Sequence, residues 1–394
     1  MWKFVVLAVA TFLTLYIGWR LINPASIRRR WKVAAWLAVP VLLFGQRLKW
    51  LVDGQGLDSD ILVYVNWVGY TFLGFVSLLV IFMLGRDIPV LCKRIGQKIS
   101  LRLGRRRPRI YTKKADQERR RFLLNASNTA ILTATLPLTG YSIFKARSVP
   151  PVVPNELPVI GLPNGLDGFT IAQISDTHVG PTIREDWLQA VVDAVNAQNP
   201  DMIVHTGDVV DGTVQELNEA VAPFSNLTAP HGVWMCTGNH EYYSGVEQWA
   251  LKSDQLGMKP LLNEHRLIDT GQGRILLGGV TDIRSEHMHP AHKSSPKAAM
   301  ANAPDHDVSI LLAHQPRSIY EAEAAGFNIQ LSGHTHGGQY FPYNFAVHLF
   351  QPYVRGLHLH GNTLLYVNVG TGYWGPPMRL GSGPEITLHT LRKA

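Results

Sequence analysis

The chain has 394 residues, which is long enough for a sizeable core and for two structural regions. Its net charge of +8 is uneven, because the first 147 residues hold 24 of the 37 Lys and Arg but only 6 of the 29 Asp and Glu. The remainder carries 13 basic and 23 acidic residues, so no nucleic-acid partner is expected. Cys92 and Cys236 lie in different regions, which argues against a disulfide framework or a thiolate metal site.

Four apolar segments predict an all-α transmembrane region over residues 1–147, with the lipid bilayer as its partner. The third segment is the clearest, and the second is short and interrupted by Pro40. A cleaved signal peptide is the alternative interpretation of the first segment, although no small-residue cleavage site follows it. The segments are Phe4–Ile22, Trp31–Phe44, Ile61–Leu84 and Phe122–Phe144.

The loops between these segments predict an orientation through their basic residues. Residues 20–32 hold five basic and no acidic side chains, and residues 86–121 hold 14 basic and 3 acidic ones, so both loops are expected in the cytoplasm. Residues 46–60 hold two basic side chains and three Asp, and are expected outside. Four spans then place the C-terminal region on the periplasmic or extracellular face, and one miscounted span would invert that side.

Two stretches of this part stay open to more than one interpretation. In the basic loop, apolar residues at 88, 91, 95 and 99 fit either an amphipathic helix on an anionic leaflet or a solvated loop. Residues 148–165 contain five prolines and are predicted to be a semi-rigid linker to the domain at 166–394. Residues 152–160 of that linker have a second interpretation, an edge strand.

Residues 166–394 alternate short apolar runs with helical patterns, which predicts an α/β domain. Such domains place their sites at the carboxyl ends of strands. The pattern does not distinguish a single doubly wound sheet from two stacked sheets. The predicted strands are 169–175, 202–206, 233–237, 275–280, 308–313, 328–332 and 364–369, and the predicted helices are 184–198, 214–224, 246–256 and 317–325.

Five clusters of Asp, Asn and His follow these apolar runs. A single Asp-x-His or His-x-His pair is a weak signal, but five clusters in succession predict a metal centre. Residues two apart at a strand end project to one face, and a preceding glycine is expected to let the backbone turn sharply. The clusters are Asp176-Thr177-His178, Gly207-Asp208 with Asp211, Gly238-Asn239-His240-Glu241, Ala313-His314-Gln315 and Gly333-His334-Thr335-His336.

The ligand types narrow the choice of metal. Carboxylate, amide and imidazole groups without sulfur favour Mn, Fe or Zn in a site that is not thiolate-based. Several separate ligand loops can hold two divalent metal ions about 3.5–4 Å apart.

In this order, the five clusters resemble the calcineurin-like metallophosphoesterase superfamily, from about Leu157 to the C-terminus. The string Gly333 to Gln339 resembles a membrane-associated bacterial branch, several of whose members act on lipid-like phosphodiesters. The resemblance implies a two-sheet sandwich flanked by helices. It also implies a hydroxide between the two ions that attacks phosphorus.

The same resemblance implies roles for individual residues. His240 would stabilise the transition state or protonate the leaving oxygen, and Asp211 and Glu241 would orient His240 and neighbouring ligands. Gly338 and Arg379 are expected substrate contacts, with a structural salt bridge as the alternative for Arg379. One ion would take Asp176, His178, Asp208 and His336, and the other would take Asp208, Asn239, His314 and His334.

Other polar and aromatic side chains have weaker expectations. His205 is expected to be packed or to support a ligand. Residues 282–307, which include His287, His289 and His292, form either a lid or a solvated loop, and Asp282 is a candidate acid at the rim of the site. Tyr373 and Trp374 would line a substrate groove or rest at a membrane interface.

Three functions remain open from the sequence. The first is a membrane-anchored dimetal phosphoesterase that cleaves a phosphodiester or pyrophosphate bond, with a lipid-linked substrate inferred from the anchor and the resemblance. The second is an outward-facing phosphomonoesterase or nucleotidase. The third is a membrane sensor or scaffold that binds phosphate without turnover.

Overall fold

The computed structural model describes residues 2–45, 59–103 and 113–394. The chain divides into two compact units, residues 1–141 and 142–394. The described part of the first unit is helical, whereas the second unit contains two β-sheets.

Helices form at all four predicted apolar segments of the first unit. Among the described residues, one helix, Val63–Arg102, is long and apolar enough to cross a membrane, and a shorter apolar helix covers Leu7–Ile22. Residues 46–58, in the loop predicted to face outward, are not among the described residues. The same holds for residues 104–112 of the predicted basic loop. The helices are α1 (Trp2–Ile17), α2 (Arg29–Gly45), α3 (Ser59–Arg102) and α4 (Lys113–Arg147).

Helix α3 continues far beyond its apolar segment, as far as Arg102. Ile88, Leu91, Ile95 and Ile99 are exposed on this extension. The helical alternative is therefore confirmed for this stretch, whereas its contact with a lipid leaflet stays a prediction.

A group of side chains that we call the helix polar cluster (Tyr16, Arg20, Arg86, Asp87 and Asn128) joins helices of this unit. Asp87 accepts hydrogen bonds from Tyr16 Oη at 2.8 Å, Arg20 Nε at 2.6 Å and Arg86 Nε at 2.8 Å. Arg86 Nη1 donates to Asn128 Oδ1 at 2.6 Å, and Asn128 Nδ2 donates to the Arg20 carbonyl at 2.8 Å. Polar side chains among apolar helices need such mutual pairing, so the cluster fastens the helices together.

The central strands of the second unit are buried at every residue except the half-buried Thr170, which is typical of parallel strands covered on both faces. The strands are β1 (Val152–Val159), β2 (Thr170–Ile174), β3 (Met202–His205), β4 (Val233–Met235), β5 (Met258–Pro260), β6 (Glu264–Asp269), β7 (Arg274–Gly279), β8 (Val308–Leu312), β9 (Ile329–Ser332), β10 (Gly356–His360), β11 (Thr363–Val367) and β12 (Ile386–Lys393). The helices are α5 (Glu185–Asn196), α6 (Val214–Leu217), α7 (Asn239–Ser244), α8 (Val246–Gln255), α9 (Pro296–Met300), α10 (Ile319–Ala325) and α11 (Tyr343–Ala346).

These strands form two six-stranded sheets, all within residues 142–394. The strand order is β1-β12-β2-β3-β4-β5 in the first sheet and β10-β11-β9-β8-β7-β6 in the second. Apolar side chains from both sheets, such as Val204 and Ile310, share one core cluster, so the sheets pack face to face. The predicted two-sheet sandwich flanked by helices is confirmed, and the single doubly wound sheet is wrong.

The predicted linker at 148–165 is mostly part of the first sheet. Residues 152–159 pair in parallel with β12 along their whole length, so the edge-strand alternative holds for them. Pro154 and Pro158 are exposed on this strand, where a missing backbone donor is tolerated because the strand lies at the sheet edge. Four residues, 148–151, separate α4 from β1.

Two other predicted segments are more broken than the sequence pattern indicated. The predicted helix at 214–224 is a four-residue helix followed by a 3₁₀ turn at Ala222–Asn226, where Pro223 cannot donate a helical hydrogen bond. The stretch 282–307 contains two 3₁₀ turns and the short helix α9, so it is not a plain solvated loop.

Candidate metal centre

The predicted ligands follow strands of both sheets. Asp176 and His178 follow β2, Asp208 follows β3, and Asn239 begins α7 after β4. His314 follows β8, and the last histidine pair follows β9. Parallel strands present their carboxyl ends at one sheet edge, so stacking the two sheets brings both sets of ligands together. Three groups of converging ligand atoms result, namely Asp176-His178-His336, His178-Asp208-His240 and Asp208-His314-His334.

The backbone around these ligands is strained. Positive φ angles between 48° and 70° occur at five ligands, a conformation that side-chain-bearing residues rarely adopt. Each such residue costs on the order of 1–3 kcal/mol, and this cost is typical of functional sites. The five residues are Asp176, His178, Asp208, His334 and His336.

The glycines beside the ligands have different physical roles. Gly207 has a φ of +88°, as expected for a sharp turn. Gly238 and Gly333 do not have positive φ angles, so the turn explanation is wrong for them. A Cβ at Gly238 would lie 2.1 Å from Asp208 Oδ1, and one at Gly333 would lie 1.9 Å from Ser175 Oγ. These two positions require glycine because ligand loops approach them closely.

One half of the centre contains Asp176, His178 and His336. His178 Nε2 and His336 Nε2 are 3.1 Å apart, and His336 Nε2 lies 3.4 Å from Asp176 Oδ1. His178 Nδ1 lies 3.0 Å from Asp211 Oδ1, which leaves His178 Nε2 directed into the centre. A carboxylate behind a ligating histidine is a common way to fix the ring of a metal ligand.

The other half contains Asp208, Asn239, His314 and His334. His314 Nε2 lies 3.1 Å from both Asp208 Oδ2 and His334 Nδ1. His314 Nδ1 donates to the Thr206 carbonyl at 2.8 Å, which fixes this ring in the same manner. The buried Oδ1 of Asn239 has no hydrogen-bond partner.

The residues present fit divalent cations. The Asn239 oxygen lacks a donor, so a cation would satisfy a group that the protein leaves unmatched, and the ring nitrogens of His178 and His336 approach each other to 3.1 Å at the same centre. Burial lowers the pKa of His334 to about 3 and moves the pKa of His336 well below its usual value. Neutral imidazole is the form that binds metal, so burial prepares both rings for that role.

The two carboxylates of the centre differ in their surroundings. Burial raises the pKa of Asp176, and the nearby charge of Asp208 adds to the effect. The pKa of Asp208 is lowered despite burial, because His314 and His240 provide favourable charge. Asp208 is the more central of the two, since His178 and His240 also approach its Oδ2 at 3.8 and 3.9 Å.

His240 lies at the open side of the centre, with about a fifth of its side chain exposed. Its Nδ1 contacts Asp211 Oδ1 at 2.5 Å, so one carboxylate oxygen holds both His178 and His240. Burial lowers the pKa of His240, but the charges of Asp208 and Asp211 outweigh this and raise it to about 10. Cations bound nearby would oppose that rise.

Glu241 forms hydrogen bonds with backbone amides and forms none with His240. Its carboxylate accepts hydrogen bonds from the amides of Gly238 at 2.7 Å, Asp208 at 3.0 Å and Val209 at 2.8 Å. It therefore fastens the second ligand loop to the third, a supporting role that differs from the predicted orientation of His240.

The structure does not offer Arg379 or Gly338 to substrate. Arg379 is fully buried, and its guanidinium donates to the carbonyls of Val369 at 2.8 Å and His336 at 3.0 Å and approaches His336 Nδ1 at 3.1 Å. The Gly338 amide donates to the Thr335 carbonyl at 2.8 Å. Because these donors are already occupied, the predicted phosphate contacts are replaced by a positioning role for Arg379 behind a metal ligand.

Two exposed aromatic rings lie beside His240. The ring of Trp374, which is 54% exposed, lies 6.2 Å from the His240 ring, and Tyr243, which is 62% exposed, lies 5.3 Å from it. Tyr373 is buried instead and donates to the Thr182 carbonyl at 3.1 Å. Sequence reasoning missed Tyr243, although its place three residues after His240 on a helix would have put both on one face.

The remaining polar residues support the centre or lie beside it. His205 is buried and bonds Thr177 Oγ1 at 3.0 Å, in agreement with the predicted supporting role. Asp282 is buried and not at the rim, and it accepts from Gln315 Nε2 at 2.9 Å, next to His314. In the 282–307 stretch, His289 lies 2.7 Å from Glu247.

Comparisons with known proteins agree with this geometry. The profile of the calcineurin-like phosphoesterase family matches residues 169–338, which contain all seven predicted ligands. A "Transmembrane protein with metallophosphoesterase domain" from Bos taurus is 39% identical over 287 residues, which are 70% of this chain and 64% of that protein. A protein of the same name from Danio rerio is 36% identical over 272 residues, or 67% of this chain and 62% of that protein.

The chain thus spans less than two thirds of the length of these two relatives. The predicted resemblance to a bacterial branch is not confirmed, because animal proteins are among the relatives. An "Uncharacterized metallophosphoesterase" from Aquifex aeolicus is 32% identical over 233 residues, which are 59% of this chain and 87% of that protein. The chain is identical to this relative at about a third of the aligned positions and covers 87% of its length. It therefore belongs to the calcineurin-like metallophosphoesterase family.

Proposed function

We propose that this protein is a membrane-anchored dimetal phosphoesterase that hydrolyses a phosphodiester or pyrophosphate bond in a lipid-linked substrate. The observation that carries the proposal is the convergence of seven ionisable side chains, five buried and two half-buried, into three adjoining groups that are linked through His178 and Asp208. Family membership supports phosphate ester chemistry at this place. The lipid-linked substrate is the finer part of the proposal and has separate support.

The ligand geometry supports two ions. Asp208 lies between the two halves of the centre, which suits a bridging carboxylate. When bound, the ions supply Lewis acidity and lower the pKa of coordinated water toward neutrality. Mn, Fe or Zn suits this set of oxygen and nitrogen donors. The first ion would be held by Asp176, His178, Asp208 and His336, and the second by Asp208, Asn239, His314 and His334.

The chain's own contribution to the reaction centres on His240. About a fifth of this side chain is open to solvent, so it can reach a leaving oxygen that the fully buried rings of His178 and His314 cannot. Asp211 holds Nδ1 of His240 and leaves Nε2 free to stabilise the transition state or to give a proton to the leaving oxygen. The second contact of Asp211, to His178, couples this proton donor to the first ion's ligands.

Membrane anchoring is supported by the first unit. Helix α3 contains the described segment that is long and apolar enough to span a bilayer. Two relatives are named as transmembrane proteins with a metallophosphoesterase domain. The distribution of basic residues in the loops supports placing the second unit on the periplasmic or extracellular face.

The lipid-linked substrate is supported by the rim of the site. Trp374 and Tyr243 expose aromatic surface beside His240. Exposed aromatic rings beside a charged centre suit a substrate with an apolar portion next to its phosphate. An anchored enzyme also meets lipid-linked substrates in the same bilayer.

The test uses the full chain in detergent micelles with Mn²⁺. Hydrolysis of bis(p-nitrophenyl) phosphate and p-nitrophenyl phosphate is compared for the native chain, Asp208→Asn and the exposed control Asp193→Asn. We expect diester turnover that is lost in Asp208→Asn and retained in Asp193→Asn. Faster monoester turnover would favour the phosphomonoesterase or nucleotidase function. Metal binding without turnover of either compound or of vesicle phospholipids would establish the scaffold function.

A further inference from the structure

A short segment that follows the last ligand cluster presents large apolar side chains to solvent. It comprises residues 343–350, which form α11 and a 3₁₀ turn, and we call it the aromatic segment. Phe345 is 68% exposed, Leu349 is 82% exposed and Phe350 is 70% exposed. Phe345 and Leu349 are four residues apart on helical backbone, so their side chains project to one side. A contiguous exposed apolar surface of this kind indicates a partner.

The aromatic segment is attached to the metal centre by its backbone. A Cβ at Gly338 would lie 2.3 Å from Asn344 Cα, so the segment packs directly on the loop that carries His334 and His336. At its other end, Arg317 Nη2 donates to the Phe350 carbonyl at 2.8 Å. The apolar side chains therefore extend from an anchored backbone that adjoins the metal ligands.

The stretch of sequence that contains the aromatic segment is unusually poor in acidic residues for this unit. Residues 148–394 hold 23 Asp and Glu, yet residues 324–384 hold none. Arg355 and several histidines lie in this acid-free stretch. A surface that meets anionic lipid headgroups must avoid carboxylates, because these would be repelled by the headgroups. The carboxylate of Glu321 lines a pocket with Leu349 and Phe350, but Arg317 lines it too, so this surface has no net negative charge.

The chain also keeps this unit near any bilayer that the first unit enters. The four residues between α4 and β1 extend over only about 14 Å at most. This short connection gives the bilayer a high effective concentration at the apolar surface. Among possible occupants of that surface, the bilayer is therefore favoured.

We infer that the aromatic segment is a membrane-interface contact of the phosphoesterase unit. Phe345, Leu349 and Phe350 enter the boundary between headgroups and acyl chains, as the apolar face of an interfacial helix does. The contact holds the loop with His334 and His336 at the bilayer surface. It goes beyond the proposed function, because it does not depend on whether the substrate carries a lipid.

The first experiment measures lipid contact directly in the full chain. In a Cys92→Ser background, Leu349→Cys carries a bimane label, and the chain is reconstituted into vesicles with anionic lipids and headgroup-region nitroxide lipids. The matched control is Leu251→Cys, an exposed leucine on α8, which packs on the first sheet through Trp249, whereas the aromatic segment lies beside Arg317 near the second sheet. Buried Cys236 remains unlabelled in the folded chain.

We expect nitroxide quenching of the label at position 349 and none above the lipid-free level at position 251. Equal quenching at both positions, or no quenching at 349, would overturn the inference. A label at 349 that is shielded only when protein concentration rises would assign the surface to a second copy of the chain and would also overturn it.

A second experiment separates membrane contact from catalysis. Leu349→Ser combined with Phe345→Ser and Phe350→Ser is assayed with a soluble phosphodiester and with the same headgroup on vesicle-borne lipid. Unchanged turnover of the soluble diester with reduced turnover on vesicles supports the contact. Unchanged turnover on both contradicts it. If the protein turns over neither compound before mutation, the proposed function fails, and the quenching result still decides the membrane contact.

Discussion

Two polar clusters of this chain differ in how well their members match one another. In the helix polar cluster, both oxygens of Asp87 receive donors from Arg20 and Arg86, and Tyr16 adds a third donor. One guanidinium nitrogen of Arg86 is left without a partner. Charges and hydrogen-bonding groups are otherwise complementary, so this cluster is nearly complete as folded.

The metal centre shows the opposite arrangement. His178 and His336 direct nitrogen atoms at each other, and the amide oxygen of Asn239 has no donor. Five of its ligands also occupy strained backbone conformations. A matched polar cluster fastens a fold, whereas an unmatched and strained one is organised around a ligand that the protein does not itself supply.

Among the substitutions that test this difference, Asn239→Leu is expected to have the largest effect on activity. We expect kcat/KM for a phosphodiester to fall on the order of 10³-fold, because one ion loses a ligand and several kcal/mol of Lewis-acid stabilisation are at stake. The unfolding free energy of the metal-free second unit should not decrease, since the lost oxygen has no hydrogen bond to give up. Metal-free unfolding is followed by near-UV circular dichroism in the presence of a chelator.

The matched control for this change is Asn368→Leu. Asn368 is also buried, but its Nδ2 donates to Thr387 Oγ1 at 2.9 Å and its Oδ1 accepts from Gly370 N at 2.7 Å. The control should therefore lower stability by about 1–3 kcal/mol. Equal destabilisation by both substitutions would show that Asn239 is an ordinary structural amide.

The second prediction concerns the matched cluster. Asp87→Asn leaves Arg20 and Arg86 without a counter-charge, and we expect a loss of roughly 2–3 kcal/mol, at the low end for a buried pair because Arg20 is about one third exposed. Hydrogen exchange of the α1 peptides in the full chain measures this loss locally. The phosphoesterase activity of the solubilised chain should stay within about twofold, since no metal ligand is altered. Unchanged exchange would mean that the cluster does not fasten α1.

Metal ligands and the residues that support them differ in how far they could be predicted from the sequence. Ligands such as Asp176 and His178 were predictable, because residue types and short spacings are properties of the sequence itself. The supporting role of Arg379 was not, since its acceptors are backbone carbonyls whose positions depend on the fold. An arginine near a phosphate site has the same sequence signature whether it contacts substrate or holds a loop.

The fold was predictable to a similar extent. Buried central strands such as β3 and β8 are continuous apolar runs and were predicted near their observed positions. Strands β5, β6, β10 and β12 were not predicted, because they are short, partly exposed or polar, and their pairing is set by neighbours distant in sequence. Three of these four lie at sheet edges, β5 in the first sheet and β6 and β10 in the second. Those edges are what distinguish two sheets from one.

The third prediction concerns the residue that connects the ligands to the proton donor. Asp211→Asn removes the charge behind both His178 and His240, and we expect metal affinity and turnover to fall by about 10–100-fold. Because Asp211 raises the pKa of His240, the variant should lose the protonated ring at lower pH, so the basic limb of the pH–rate profile moves to lower pH. Asp193→Asn is the control, and an unshifted basic limb would exclude His240 as the proton donor.

The smallest expected effect concerns a matched polar group inside the second unit, His389. Its Nε2 faces Gln173 Oε1 at 2.9 Å and its Nδ1 faces Asn155 Nδ2 at 3.0 Å, which suits a neutral ring that donates through Nε2 and accepts at Nδ1. Burial lowers the pKa of His389 to about 3, below the value of 6.5 expected in the unfolded chain. The unfolded state therefore binds the proton first as the pH falls below 6.5. Stability contributed by the neutral ring is complete above that pH and decreases by about 1.4 kcal/mol per pH unit toward pH 3.

His389→Gln should remove this part of the pH dependence. The metal ligands titrate in the native chain and in the variant alike, so the difference between their unfolding free energies isolates His389. We expect that difference to change by about 1.4 kcal/mol per pH unit between pH 6 and pH 5 in denaturant unfolding with chelator present. The exposed His287→Gln control should show no such change, because the fold does not enclose that ring. A pH-independent difference for His389→Gln would mean that Asn155 and Gln173 rearrange to accept a protonated ring, and that a matched polar cluster can adapt where the strained metal centre cannot.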